Sequence, residues 1–451
     1  MSILSASQVQ VRPNRSSIAR ISENTSPDCF PTINELLQDN HDNMNIFFRP
    51  IGGHNHTVHA VLTIYAMGGK GEDLKRAFRD NDHQQTQIPP TDPAIVVEMK
   101  DTDVFMKHMR DQVHYTNYLK FFEQEIEENG WKEVLQQYLF TSTPVAKAMF
   151  VQLFEGLYHP LIHVGFGIEF DQPAIVAEGL AQAASHAWGN IGDYFTRCDE
   201  IAQAEGALTT PLQELYQQVR ANDKIRMSVQ LQQGPNRIRD GLMPNAMEEL
   251  AKIGAQFRVG KNDLDWEHGL IESASCAALN AAAAQRKGKA AKLDFFSMHA
   301  VTSSIFLSLL ARQPWIHNEH KAKLIEWKGR LDIAWYASSG SPPLELQFVT
   351  SYQPTLSKDM DWQALYAATV EAHDDGHVAK LVRALYSAES EARGFEERVG
   401  QENTMNLPVR GDLWFRVAQM SFDSTTDVPL DEKWLMGTGF DPMWNRIKDA
   451  P

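Results

Sequence analysis

The chain has 451 residues, with 42 basic and 58 acidic side chains, 16 histidines, 3 cysteines and a formal net charge of −16. Being 43% hydrophobic and 22% charged excludes the disordered and fibrous classes. The acidic balance argues against a nucleic-acid partner, because phosphate binding needs a basic surface.

Residues 1–22 carry no acid and include Arg12, Arg15 and Arg20. Pro13 and Asn14 interrupt any amphipathic helix there, so residues 1–30 are expected to be an irregular arm rather than a transit peptide. Val58, Leu62 and Tyr65 then share one helical face, in a segment that stops at Gly68-Gly69. Residues 105–138 read as polar helix with an apolar stripe of Trp131, Val134, Leu135 and Tyr138, and Asp171 before Pro173 starts an alanine-rich helix running to His186. The same spacing places helices at 212–219, 246–257, 265–286, 293–312, 320–337 and 362–393. The apolar run 295–310 contains His299 and falls short of the roughly 18 residues of a membrane span, so it is expected to be a buried core helix. The expectation is a large single-domain, all-α helical bundle over residues 31–451, with no membrane association.

Several motifs are missing. No G-x-G-x-x-G opens a strand-turn-helix, Gly68-Gly69-Lys70-Gly71 lacks the spacing of a phosphate loop, and no G-x-S-x-G elbow occurs. Cys29, Cys198 and Cys276 form neither a disulfide framework nor a cysteine zinc pattern, which points to a reducing, cytoplasmic compartment. A metal in this chain would have to be held by imidazoles.

Histidines stand in four unusual places. In His54-Asn55-His56-Thr57-Val58-His59, His59 lies on the face of Leu62 and Ala66 with His56 one turn earlier, whereas His54 is expected in solvent. His159 and His163 sit in an apolar neighbourhood, where they either close a helix end or face a shared site. His299 interrupts the apolar core helix; taken singly, such a histidine is an ordinary hydrogen-bonded core residue. His373 and His377, four apart, have the spacing of a helical metal pair. The histidines at 41, 83, 108, 114, 268, 317 and 320 occupy polar stretches and read as surface. Lys380 shares the side of His373 and His377. It either snorkels or, with its pKa lowered by burial, takes up carbon dioxide as a carbamate that adds an anionic oxygen ligand.

The stretches 54–59 with 62–68, 159–169, 294–299 with Thr302, and 373–377 with Lys380 resemble the questin oxidase-like family, in order and from about residue 45 to the C-terminus. The resemblance implies an enzyme of fungal polyketide secondary metabolism that opens anthraquinone rings toward benzophenones or xanthones, in some members by Baeyer–Villiger-type oxidation. It also implies a non-haem Fe(II) held by four histidines and a carboxylated lysine. On this chain the lysine is Lys380, and the histidines come from His59, His163, His299 and the pair His373/His377, with His56 competing with His59.

The expected reaction uses O2 as cosubstrate to cleave a ring carbon–carbon bond of a reduced hydroxyanthraquinone, with Lys380 and His299 as the catalytic residues. Tyr158, Phe166, Phe295 and Phe296 either line a flat pocket for such a small aromatic polyketide or pack as ordinary core. The rival readings are a Baeyer–Villiger oxidase drawing on external NADPH through a partner, a metal-dependent hydrolase indifferent to oxygen, and a non-catalytic helical scaffold.

Overall fold

A computed structural model of the protein describes residues 4–12, 18, 20, 29–49, 53–187, 189, 191–205 and 209–450. Most of the expected arm lies outside the described residues; its end does not, because a helix already starts at Cys29 (Cys29–Asn43). The described fold is all-α, and its one pair of strands is the antiparallel hairpin of Phe47–Arg49 and Gly53–His54, with Phe47 opposite His54. Contacts gather the chain into two units, Met1–Trp188 with Tyr366–Lys380, and Gly189–Leu365 with Leu381–Pro451. No described helix is long and apolar enough to cross a membrane.

In the first unit the helices Tyr115–Asn129, Glu155–Glu169 and Pro173–Ser185 pack side by side, with the last buried along its whole length. Its alanines and Gly179 present little side-chain bulk, so neighbouring backbones approach closely. The helix Thr57–Ala66 is also buried at every position, which is why His59 has no access to solvent. The long helix expected over 105–138 is three pieces: Thr102–His108, Tyr115–Asn129 and Trp131–Leu139.

The second unit is built around Asp263–Ala283, Phe295–Ala311 and Asn318–Ser338. Phe295–Ala311 is the buried core helix its composition predicts. Asp294, itself buried, caps it by accepting from the backbone N–H groups of Phe296 and Ser297 through one carboxylate oxygen and from those of Gly437 and Thr438 through the other.

The helix expected over 362–393 is broken into Trp362–Glu371 and His377–Val399. Gly376 stands in the break at φ +95°, where an added Cβ would lie 2.9 Å from the Ala60 Cβ. Asp374 restarts the chain by accepting from the N–H groups of Gly376 and Val378. His373 and His377 are therefore not a turn apart on one helix.

Candidate metal centre

Three histidines of the first unit converge. His56 ends the approach to Thr57–Ala66, His159 lies in Glu155–Glu169 and His377 begins His377–Val399. All three are buried, and one ring nitrogen from each falls within 4.8 Å of the others. The hairpin turns His54 and His56 inward, while an unusual turn aims His159. Gly156, Leu157 and Tyr158 all have left-handed backbone, with φ of 55°, 61° and 64°. For Leu157 and Tyr158 that conformation is costly, and such strain gathers where a side chain must be aimed.

The hydrogen bonds fix the tautomers. His56 Nδ1 donates to Gln84 Oε1 at 2.7 Å, an oxygen also held by the His56 backbone N–H. His159 Nδ1 donates to the Gly156 carbonyl at 2.5 Å, and His377 Nδ1 to Asp375 Oδ1 at 2.7 Å. With each Nδ1 protonated toward an oxygen, the lone pair is left on each Nε2. His56 Nε2 and His159 Nε2 are 2.8 Å apart. Two lone pairs facing each other at that distance repel unless a cation lies between them, and oxygen acceptors on the far nitrogen are the usual support of metal-binding imidazoles. Burial, reinforced by the positive charge of Lys380, pushes the His56 pKa well down and keeps the ring neutral, as a ligand must be. This donor set fits a divalent transition metal.

A second group adjoins the first. Lys380 Nζ lies 3.5 Å from His59 Nδ1, and His59 Nε2 lies 3.2 Å from His163 Nδ1. His163 Nε2 is 2.6 Å from Glu178 Oε2, and the other Glu178 oxygen is 2.6 Å from His41 Nδ1. His41 Nε2 in turn reaches Glu123 at 3.1 Å. Burial lowers the Lys380 pKa to about 8 against the opposing charges of Asp375 and Asp374, and it also drives the His59 pKa well down, helped by Lys380. Burial opposes the charge on His41 too, but Glu123 and Glu178 outweigh it and raise that pKa to about 9. Phe166 stacks on His59 with ring centroids 5.1 Å apart.

The residues singled out from sequence separate accordingly. His56, His59, His163, His377 and Lys380 come together, joined by His159. His59 and His163 have both ring nitrogens occupied in the chain just described. His373 was expected to point inward beside His377. Its side chain is instead 78% exposed and faces Asp80, because the loop before Gly376 turns it outward. His299 belongs to the second unit, with Nδ1 donating to the Phe295 carbonyl at 2.7 Å. Phe166 and Phe296 pack in the core, Phe296 on Trp335 at 5.1 Å.

Two surface expectations also fail. His54 is buried, stacked on His159 at 3.9 Å with its Nε2 2.8 Å from His186 Nε2, and His41 is buried between two carboxylates. Sequence reasoning passed over Gln84, Glu178, Asp375 and His186. Asp375, two residues before a histidine at a helix start, carried a readable signal. Gln84 and Glu178 carried none, since each acts on a ring about 28 or 15 residues away in sequence.

Comparison with known proteins places the whole chain in a family. The sequence profile of the questin oxidase-like family matches residues 53–385. The chain is 44% identical over 447 residues to a questin oxidase of Aspergillus fumigatus, covering 98% of this chain and 99% of that one. It is 43% identical over 447 residues to a Baeyer–Villiger oxidase of Pestalotiopsis fici, covering 99% of each. A Baeyer–Villiger oxidase of Aspergillus sp. is 43% identical over 451 residues, covering the whole of both chains. The protein is an oxidoreductase and belongs to the questin oxidase-like family.

Proposed function

We propose that this protein is a non-haem iron oxygenase that uses O2 to open the central ring of a reduced hydroxyanthraquinone, giving a benzophenone-type product in polyketide secondary metabolism. The observation that carries the metal reading is the convergence of His56, His159 and His377 with each Nδ1–H donated to an oxygen. The names borne by similar proteins supply the substrate class: questin oxidase and Baeyer–Villiger oxidase. Nε2 of His56, His159 and His377 would hold the metal, and a carbamate on Lys380 would add an anionic oxygen. Bound there, Fe(II) supplies one-electron chemistry with dioxygen.

The residues of the chain have separable tasks. Gln84 Oε1 orients His56, and the Gln84 amide reaches Asp375 at 3.5 Å, so one side chain braces two of the three rings. His59 Nδ1 accepts from the Lys380 nitrogen. A carbamate retains one N–H, which can stay on His59 and turn its oxygens away from that ring. His59 and His163 are fully buried and Lys380 is 3% exposed, so this group is closed to bulk water.

Incubating the purified protein with questin reduced beforehand to its hydroquinone, Fe(II) and oxygen, then repeating under strict anaerobiosis, tests the reading. Ring-opened product is expected only with oxygen, and equal product without it would overturn the proposal. A Baeyer–Villiger insertion remains the second reading, favoured by the names of the relatives. It acts on the unreduced anthraquinone and requires two electrons from outside, so no product from the pre-reduced substrate with oxygen alone, and product from questin only when NADPH and a reductase are added, selects it.

A further inference from the structure

A buried carboxylate with two imidazoles on it lies two rings away from Lys380. Glu178, in Pro173–Ser185, is 2% exposed and receives His163 Nε2–H on one oxygen and His41 Nδ1–H on the other, both at 2.6 Å. His41 comes from Cys29–Asn43, and its second nitrogen donates to Glu123 of Tyr115–Asn129, where Lys120 adds its ammonium at 2.8 Å. A carboxylate only accepts. Glu178 therefore fixes the proton of His163 on Nε2 and leaves its lone pair on Nδ1.

The consequence runs along the chain. With a lone pair on Nδ1, His163 must receive the Nε2–H of His59. His59 then has its own lone pair on Nδ1, toward Lys380. Every hydrogen bond points the same way, from Lys380 to Glu178: a lysine ammonium only donates and a carboxylate only accepts, so both ends of the chain agree on that direction. Reversing it would put an N–H of His59 against the lysine nitrogen.

We infer that Glu178, backed by His41, is a positioning residue that sets the tautomers of His163 and His59 and so determines the face presented to Lys380. The significance for Lys380 rests on the metal reading above; the tautomer claim stands apart from it. Glu178 reaches Lys380 through two rings in series. The three residues His41, Glu123 and Glu178 form no part of the expected ligand set, and His41 looked like a surface residue in the sequence.

Histidine-selective 15N NMR of the full-length, metal-free protein tests it, with His163→Gln assigning the His163 signals. The wild type should show His163 protonated on Nε2 alone; protonation on Nδ1 would overturn the inference. In Glu178→Gln the two rings, which sit on different carboxylate oxygens, face one carbonyl oxygen and one NH2 donor instead of two acceptors. His163 is then expected to lose its single Nε2–H form, and an unchanged tautomer in the folded variant would overturn the inference. Should Glu178→Gln not fold, the wild-type spectrum decides by itself. Titration with Co(II) adds a second readout: affinity about 10-fold weaker and shifted ligand-field bands in Glu178→Gln support a positioning role, and identical bands and affinity count against it. Wild-type protein that takes up no Co(II) defeats the metal reading while the tautomer result stands.

Discussion

At the scale of single residues, the site depends on which ring nitrogen carries a proton, and at His56, His159, His377 and His163 an oxygen neighbour makes that choice. Gln84 makes it for His56. Gln84→Ala is expected to keep the fold and weaken metal binding by about 10-fold, measured by competition with a chromophoric chelator. His373→Ala serves as the contrast, because its exposed ring faces Asp80; elemental analysis should find the wild-type metal content, whereas His377→Ala should lose it. His41 gives a pH signature. Its folded pKa, about 9, lies above the ordinary 6.5, so its stabilisation is complete below about pH 6.5 and is lost as the pH rises through about 9. The effect is of the order of 3 kcal/mol. Urea unfolding between pH 6 and 9.5 should show wild-type stability falling toward that of His41→Gln; parallel curves would refute the buried imidazolium. The partner groups facing this ring are Glu123, Glu178 and, behind Glu123, Lys120.

At the scale of elements, the positions that matter are the breaks. Helical periodicity reads straight through residues 372–376, because Val370, Leu381 and Ala384 keep their spacing, yet Gly376 in left-handed backbone ends one helix and starts another. That break turns His373 out and His377 in. Gly376→Ala must force an L-residue into that conformation against Ala60 and should cost about 1–3 kcal/mol, read by thermal unfolding, with metal content reduced as well. The turn of Gly156, Leu157 and Tyr158 plays the same part for His159, and its left-handed run has no signature that a pattern of apolar residues could reveal. Caps, by contrast, are written locally. Asp294 before an apolar run marks the helix start, and the fold gives its second oxygen to Gly437 and Thr438. Asp294→Ala should lower stability by roughly 3 kcal/mol, since it leaves buried N–H groups unpaired.

At the scale of the whole molecule, a metal held by residues 56, 159 and 377 would staple segments that are far apart in sequence. Binding that occurs only in the folded state stabilises by mass action, so free metal at a thousand times its dissociation constant adds about 4 kcal/mol. Calorimetry of protein treated with a chelator should therefore show a lower melting temperature that recovers on adding Fe(II), and no difference would argue against a structural role for the metal.

The sequence by itself determined the helical class, the burial of 295–310 and the segments that bring chemistry. Each of these follows from residues within a turn or two of one another: apolar spacing, caps, and histidines among apolar neighbours. It also pointed to His56, His59, His163, His377 and Lys380 as inward-facing. Only the tertiary structure decided that His159 joins His56 and His377, that His373 does not, and that His41 is buried on Glu178. The physical reason is range. A helix face is a local property, but a tautomer is set by whichever oxygen arrives from another helix, and periodicity carries no information about that arrival.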